Sequence, residues 1–154
     1  MKVTLLAYTQ FEEILSFDSP LRQGAGTLQE NVMEFAGRVC YRSDAKMGHS
    51  PDFIALRVRE GHEDIVEHVR FIFRVDGQPL DPTFLLLANQ PTVEYTDLDN
   101  QNWIVSMNAR NIRDFWVKSQ SDLGAQMVEL AYPVAPSVYA DLPLGAGENG
   151  GRHA

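Results

Sequence analysis

The sequence predicts an α+β protein, with a mixed or antiparallel sheet packed against helices. Three observations carry that expectation. Val69, Phe71, Phe73 and Val75 alternate with Arg70 and Arg74, the period of a half-buried strand. A second strand signal, Lys2 to Tyr8, opens the chain. Helix starts at Thr27, Ser50 and Asn108 fall among the strand signals without regular βαβ units.

In chain order, Lys2 to Tyr8 reads as the first strand. Thr27-Leu28-Gln29-Glu30 is a capping-box pattern, and Val32, Met33, Phe35 and Ala36 supply the apolar side of the helix that follows. Ser43 to Gly48 is a polar loop. Ser50 is placed to cap a second helix, Pro51 suits its first position and Gly61 closes it. The strand from Val69 ends at the turn pair Asp76-Gly77, and Ile72 on its polar face points to partial cover there. Pro79 to Pro91 is open to two readings. Asp81-Pro82 starts a short helix through Thr83 to Asn89, or Thr83 to Leu87 is a buried strand. Asn102 to Met107 reads as a strand, and Asn108 caps a helix whose apolar side is Ile112, Phe115 and Trp116. Ser121 to Ala131 forms a last helix with Leu123, Met127 and Leu130 inward, weakened by roughly 1 kcal/mol at Gly124.

These elements make one domain over residues 1–132. Residues 133–154 hold three prolines and four glycines and are expected to be an irregular tail with its last ten residues mobile. A chain of 154 residues, 44% hydrophobic and 22% charged, can bury a core of its own. No apolar run approaches the roughly 18 residues that cross a bilayer, and the first residues have no leader pattern. A lone Cys40 makes no internal disulfide, so a cytoplasmic location is expected. Net charge -8 disfavours nucleic acid and anionic membrane, leaving phosphate recognition to local arginines.

Two segments concentrate chemistry. Gly61-His62-Glu63-Asp64-Ile65-Val66-Glu67-His68 is rich in titratable groups, but its histidines are six apart and Val66 and Asp64 stand where zinc-helix patterns need histidine. No metal site is expected, and His68 reads as a core histidine. In Met107-Asn108-Ala109-Arg110-Asn111-Ile112-Arg113-Asp114-Phe115, a spacing of four puts Arg110 and Asp114 on one helix face. A helix start beside an arginine suits a phosphate, although a surface ion pair explains the same residues. Cys40, between Val39 and Tyr41, reads as a small buried hydrophobe. Asp97 and Asp99 read as solvated turn carboxylates.

Taken together, Ala36-Gly37-Arg38-Val39-Cys40-Tyr41, Gly61-His62-Glu63, Val66-Glu67-His68 and Phe71-Ile72-Phe73 resemble the N-terminal half of flavin-dependent thymidylate synthases. Trp103 to Arg110, with Phe115 and Ala125-Gln126, is similar to that family's asparagine-alanine-arginine segment and its next helix. The resemblance spans roughly residues 30 to 132. It implies an α+β fold, a tetramer with FAD bound between subunits, and carbon transfer from methylenetetrahydrofolate to dUMP with hydride supplied through the flavin. It also implies cofactor-binding roles for His62, Asp64, Glu67, Asn108, Arg110 and Asp114.

The chain departs from that pattern in its cations. The family's arginine-histidine-arginine signature is expected where this chain reads Pro79 to Gln90, and no Lys, Arg or His lies between Gly77 and Asn102. The long helical insert before the asparagine-alanine-arginine segment is absent too. Each charge-assisted contact to phosphate contributes about 1.5 to 3 kcal/mol, so losing several turns a tight site into a weak one. The expectation is therefore a synthase-like chain with activity weakened or lost. The alternative is a non-catalytic flavin or nucleotide binder, or an assembly partner of a complete enzyme.

Overall fold

The computed structural model describes residues 1–10, 19–22, 24–77, 81–99 and 101–143. Among them a four-stranded antiparallel sheet packs with six helices, so the fold is α+β. The strands are β1 (Lys2–Tyr8), β2 (Arg70–Asp76), β3 (Glu94–Asp97) and β4 (Asn102–Asn108), in the order β1-β2-β4-β3. The helices are α1 (Leu28–Cys40), α2 (Ser50–Arg59), α3 (Pro82–Ala88), α4 (Ala109–Ser119), α5 (Asp122–Ala131) and α6 (Pro136–Tyr139).

The central strand β2 shows why the sheet has two unlike faces. Phe71, Phe73 and Val75 point into the core, joined by Trp103, Val105 and Met107 of β4. Arg70, Ile72 and Arg74 lie on the other face. There Ile72 is 36% exposed, so it is partly covered, as its place on the polar face leads one to expect. The helices gather on the apolar face, where Ile112 and Phe115 of α4 and Met127 and Val128 of α5 complete the core.

Several local expectations hold. Thr27 and Glu30 make the reciprocal capping box, Asn108 caps α4, and Gly61 follows α2 at φ +77°, the left-handed region glycine suits. The ambiguous stretch resolves as a helix: Asp81 accepts a hydrogen bond from the Thr83 N–H at 2.7 Å, with Pro82 next. Its Pro79 and Leu80 lie outside the described residues, as does the tail beyond 143.

Other expectations are corrected. Ser50 does not cap α2 but is its first residue, because its hydroxyl is committed to Asn31 Oδ1 at 2.8 Å and to the Gly26 N–H at 2.9 Å. Cys40 is exposed, since Gly37 and not Cys40 falls on the inward side of α1. His68 is exposed, because the inward positions of its turn are taken by Ile65 and Val66. Within the segment read as tail, residues 136–139 form a helix, and Val134, Ala135, Val138 and Tyr139 are buried.

Candidate functional site

The best-formed polar constellation sits where α4 begins. Asn108 ends β4 and starts α4, so its position is fixed by the sheet register, opposite Arg70. Its Oδ1 accepts from the Asn111 N–H at 2.8 Å, and Asn111 Oδ1 accepts from the Asn108 N–H at 3.0 Å. Asn108 Nδ2 donates to Thr92 Oγ1 at 3.2 Å, and Asn111 Nδ2 donates to the Pro91 carbonyl at 2.9 Å. The loop before β3 is thereby pinned to the start of α4. Thr92 is held there at φ +66°, a costly conformation for a β-branched residue.

Arg110, in the first turn of α4, meets three carboxylates. Its Nη1 donates to Glu67 at 2.6 Å, while its Nε lies 3.6 Å from both Glu63 and Asp114. Glu63 and Glu67 reach it because the tight 3₁₀ turn Asp64–His68 packs against α4. The hydrogen bond that Arg110 donates to Glu67 is the main reason the guanidinium is held more firmly protonated than usual, with Asp114, Glu67 and Glu63 adding attraction against the cost of burial. Arg113 extends the cluster. It lies 3.4 Å from Glu63 and makes a two-pronged pair with Asp141 at 2.6 and 2.7 Å. Burial works against its charge, but Asp141 and Glu63 outweigh that, and Arg113 in turn lowers the Asp141 carboxyl below its usual range. Two arginines thus face four carboxylates.

Of the residues singled out from sequence, Glu67, Arg110 and Asp114 come together, with Asn108 bonded into the helix start beside them. His62 and Asp64 do not join them. His62 is 56% exposed and its nearest charged neighbour is Glu60, at 3.9 Å. Asp64 is exposed, with no hydrogen bond or ion pair among the described residues. Glu63, Arg113, Asp141 and Thr92 were not legible as members. Glu63 and Arg113 lie within the two segments that concentrate chemistry, but Asp141 comes from a segment with no signal pointing to α4.

A cleft of about 370 Å³ opens along α4, lined by Glu67, Gln90, Arg110, Asn111, Asp114 and Lys118. That volume suits a small ligand. Lys118 is its cation without a carboxylate partner among the described residues. Compared with known proteins, the chain matches no family model and no curated protein sequence.

Proposed function

We propose that this chain is a non-catalytic, thymidylate synthase-like protein that serves as an assembly partner and has lost synthase turnover. The observation that carries the reading is the state of Arg110. The residue whose counterpart in the resembling family contacts flavin is already bound by Glu67, Glu63 and Asp114. An anion entering the cleft must displace carboxylates from Arg110 and meet their uncompensated charge. Asn108 is equally committed, its side chain spent on Asn111 and Thr92. In the stretch where the family carries its cationic signature, α3 carries Leu85 and Leu86, 47% and 42% exposed. The residues present fit an anionic dinucleotide such as FAD poorly, and they fit an internal ion-pair lock well.

The cleft beside Lys118 favours a second reading, a residual site for FAD or dUMP, with folate and a tetrameric assembly following from the resemblance. No helix among the described residues is long and apolar enough to cross a membrane. A cytoplasmic location is proposed on the single cysteine, Cys40.

Titration with FAD, followed by flavin absorbance, tests the reading. No saturable binding is expected at micromolar flavin, for the chain or for Arg110→Ala. Saturable binding weakened by that substitution, or rescue of a thymidine-requiring host, overturns it.

A further inference from the structure

The two edges of the sheet are treated differently. On β1 the ladder is interrupted between Leu5 and Ala7, and Gln126 bridges the main chain, accepting from the Val3 N–H at 3.0 Å and donating to the Met1 carbonyl at 3.0 Å. Irregularity and side-chain cover are the usual means of closing an edge. The outer edge of β3 has neither. It is regularly paired to β4 from Glu94 to Asp97, and among the described residues no side chain hydrogen-bonds to its main chain.

Apolar surface gathers beside that edge. Leu85 and Leu86 on α3, Tyr95 on β3 and Leu98 just after it are 42–53% exposed. Phe84 joins the two elements, stacking on Trp103 at 4.1 Å and meeting Tyr95 edge-on at 5.8 Å. Acids predominate around this surface, with Arg70 at its near end, where its guanidinium donates to Ser106 Oγ and the Thr92 carbonyl at 3.0 and 3.1 Å. Between Arg74 and Arg110 the chain carries Asp76, Asp81, Glu94, Asp97 and Asp99 and no Lys, Arg or His. A second copy would bring the same acids to the same place, so self-pairing is opposed and a basic partner is attracted.

We propose that the outer edge of β3 is a docking surface for an extended, basic and apolar segment of another protein, added as a fifth strand. Register gives the segment's character. Glu94 and Thr96 face the open side of the sheet, while Tyr95 and Asp97 face the helices. The added strand therefore needs basic residues three apart, opposite Glu94 and Asp97, and an apolar residue opposite Tyr95. Main-chain bonds supply the affinity and these side chains the selectivity. The proposal deepens the assembly reading above and rests on it.

The test uses the full chain labelled with ¹⁵N and two hexapeptides, Val-Lys-Thr-Val-Lys-Val and Val-Glu-Thr-Val-Glu-Val. The basic peptide is expected to bind saturably, at least tenfold more tightly than the acidic one. It should protect amides of residues 94–97 from hydrogen exchange and weaken at least tenfold between 50 and 500 mM salt. In the double variant Glu94→Lys/Asp97→Lys, whose altered side chains are exposed, the preference should reverse, with a modest fall in thermal midpoint because Asp97 Oδ1 no longer accepts from the Asp99 N–H at 2.9 Å. No saturable binding, equal binding of both peptides, protection centred elsewhere or an unreversed preference overturns the proposal. So does a concentration-dependent dimer with protection at β3, which assigns the edge to a second copy. Flavin titration separates the two readings. A chain that binds neither FAD nor peptide loses the docking surface alone, whereas one that binds FAD loses the assembly reading.

Discussion

Glu30 and Glu34 occupy the inward face of α1 at 1% and 0% exposure, while Val32, Phe35 and Ala36 are only half-buried. Apolar spacing alone assigns the inward face to those three together with Met33, of which only Met33 is fully buried. The carboxylates go inside because main-chain donors there have no other partners. Glu30 accepts from the Thr27 and Ser137 N–H groups at 3.0 and 2.7 Å. Glu34 accepts from Gly48 and His49 at 3.3 and 3.1 Å and pairs with Arg38 at 3.2 Å, itself stacked over Phe53. Glu34→Ala leaves two amides and a mostly buried guanidinium without their acceptor, so urea unfolding should show a loss of about 3 kcal/mol. A loss below about 1 kcal/mol would mean that water replaces the carboxylate without difficulty.

At the scale of elements, what could be read from sequence depended on whether the signal was local. β2 was legible because one face meets the core and the other solvent, which writes the period of two into the residues. The α1 and α4 caps were legible because each cap bonds to a residue three positions away. β3 left no trace: all four of its residues are exposed, so no alternation marks it. The short α3 was ambiguous because only Phe84 and Leu87 face inward. Contact between α1 and α2 depends on Gly37, where a Cβ would lie 2.7 and 2.8 Å from Phe53 ring carbons and 3.2 Å from Ile65. Gly37→Ala would gain about 1 kcal/mol of helix propensity and lose about 1–3 kcal/mol to overpacking against a ring already stacked under Arg38. A lowered thermal midpoint is expected, and a raised one would show that the helices separate at little cost.

Across the whole molecule, residues 133–143 close the structure. Thr27 Oγ1 donates to the Val134 carbonyl at 2.6 Å, Tyr139 donates its hydroxyl to the Ala109 carbonyl at 3.1 Å, and Arg113 clasps Asp141. Val134, Ala135, Val138 and Tyr139 are each 7% exposed or less. Ending the chain after Tyr132 should remove on the order of 5 kcal/mol or more of burial and open the starts of both α1 and α4. Calorimetry is expected to show no cooperative transition at 25 °C and above; a two-state transition near that of the full chain would restore the domain boundary read from sequence.

By itself the sequence determined the class of fold, three of the four strands, the caps of α1 and α4, the pairing of Arg110 with Asp114 and the absence of cations between Gly77 and Asn102. All of these depend on residue identity or on spacings within a turn or a strand. Only the tertiary structure decided that Glu63 and Glu67 also hold Arg110, that Asp141 holds Arg113 and that Glu30 and Glu34 are interior. Each of these carboxylates has a partner 14 to 107 residues away in sequence. An arginine offered to a ligand and one locked by carboxylates share the same local sequence. Which of the two it is depends on charges that the chain brings to it only by folding.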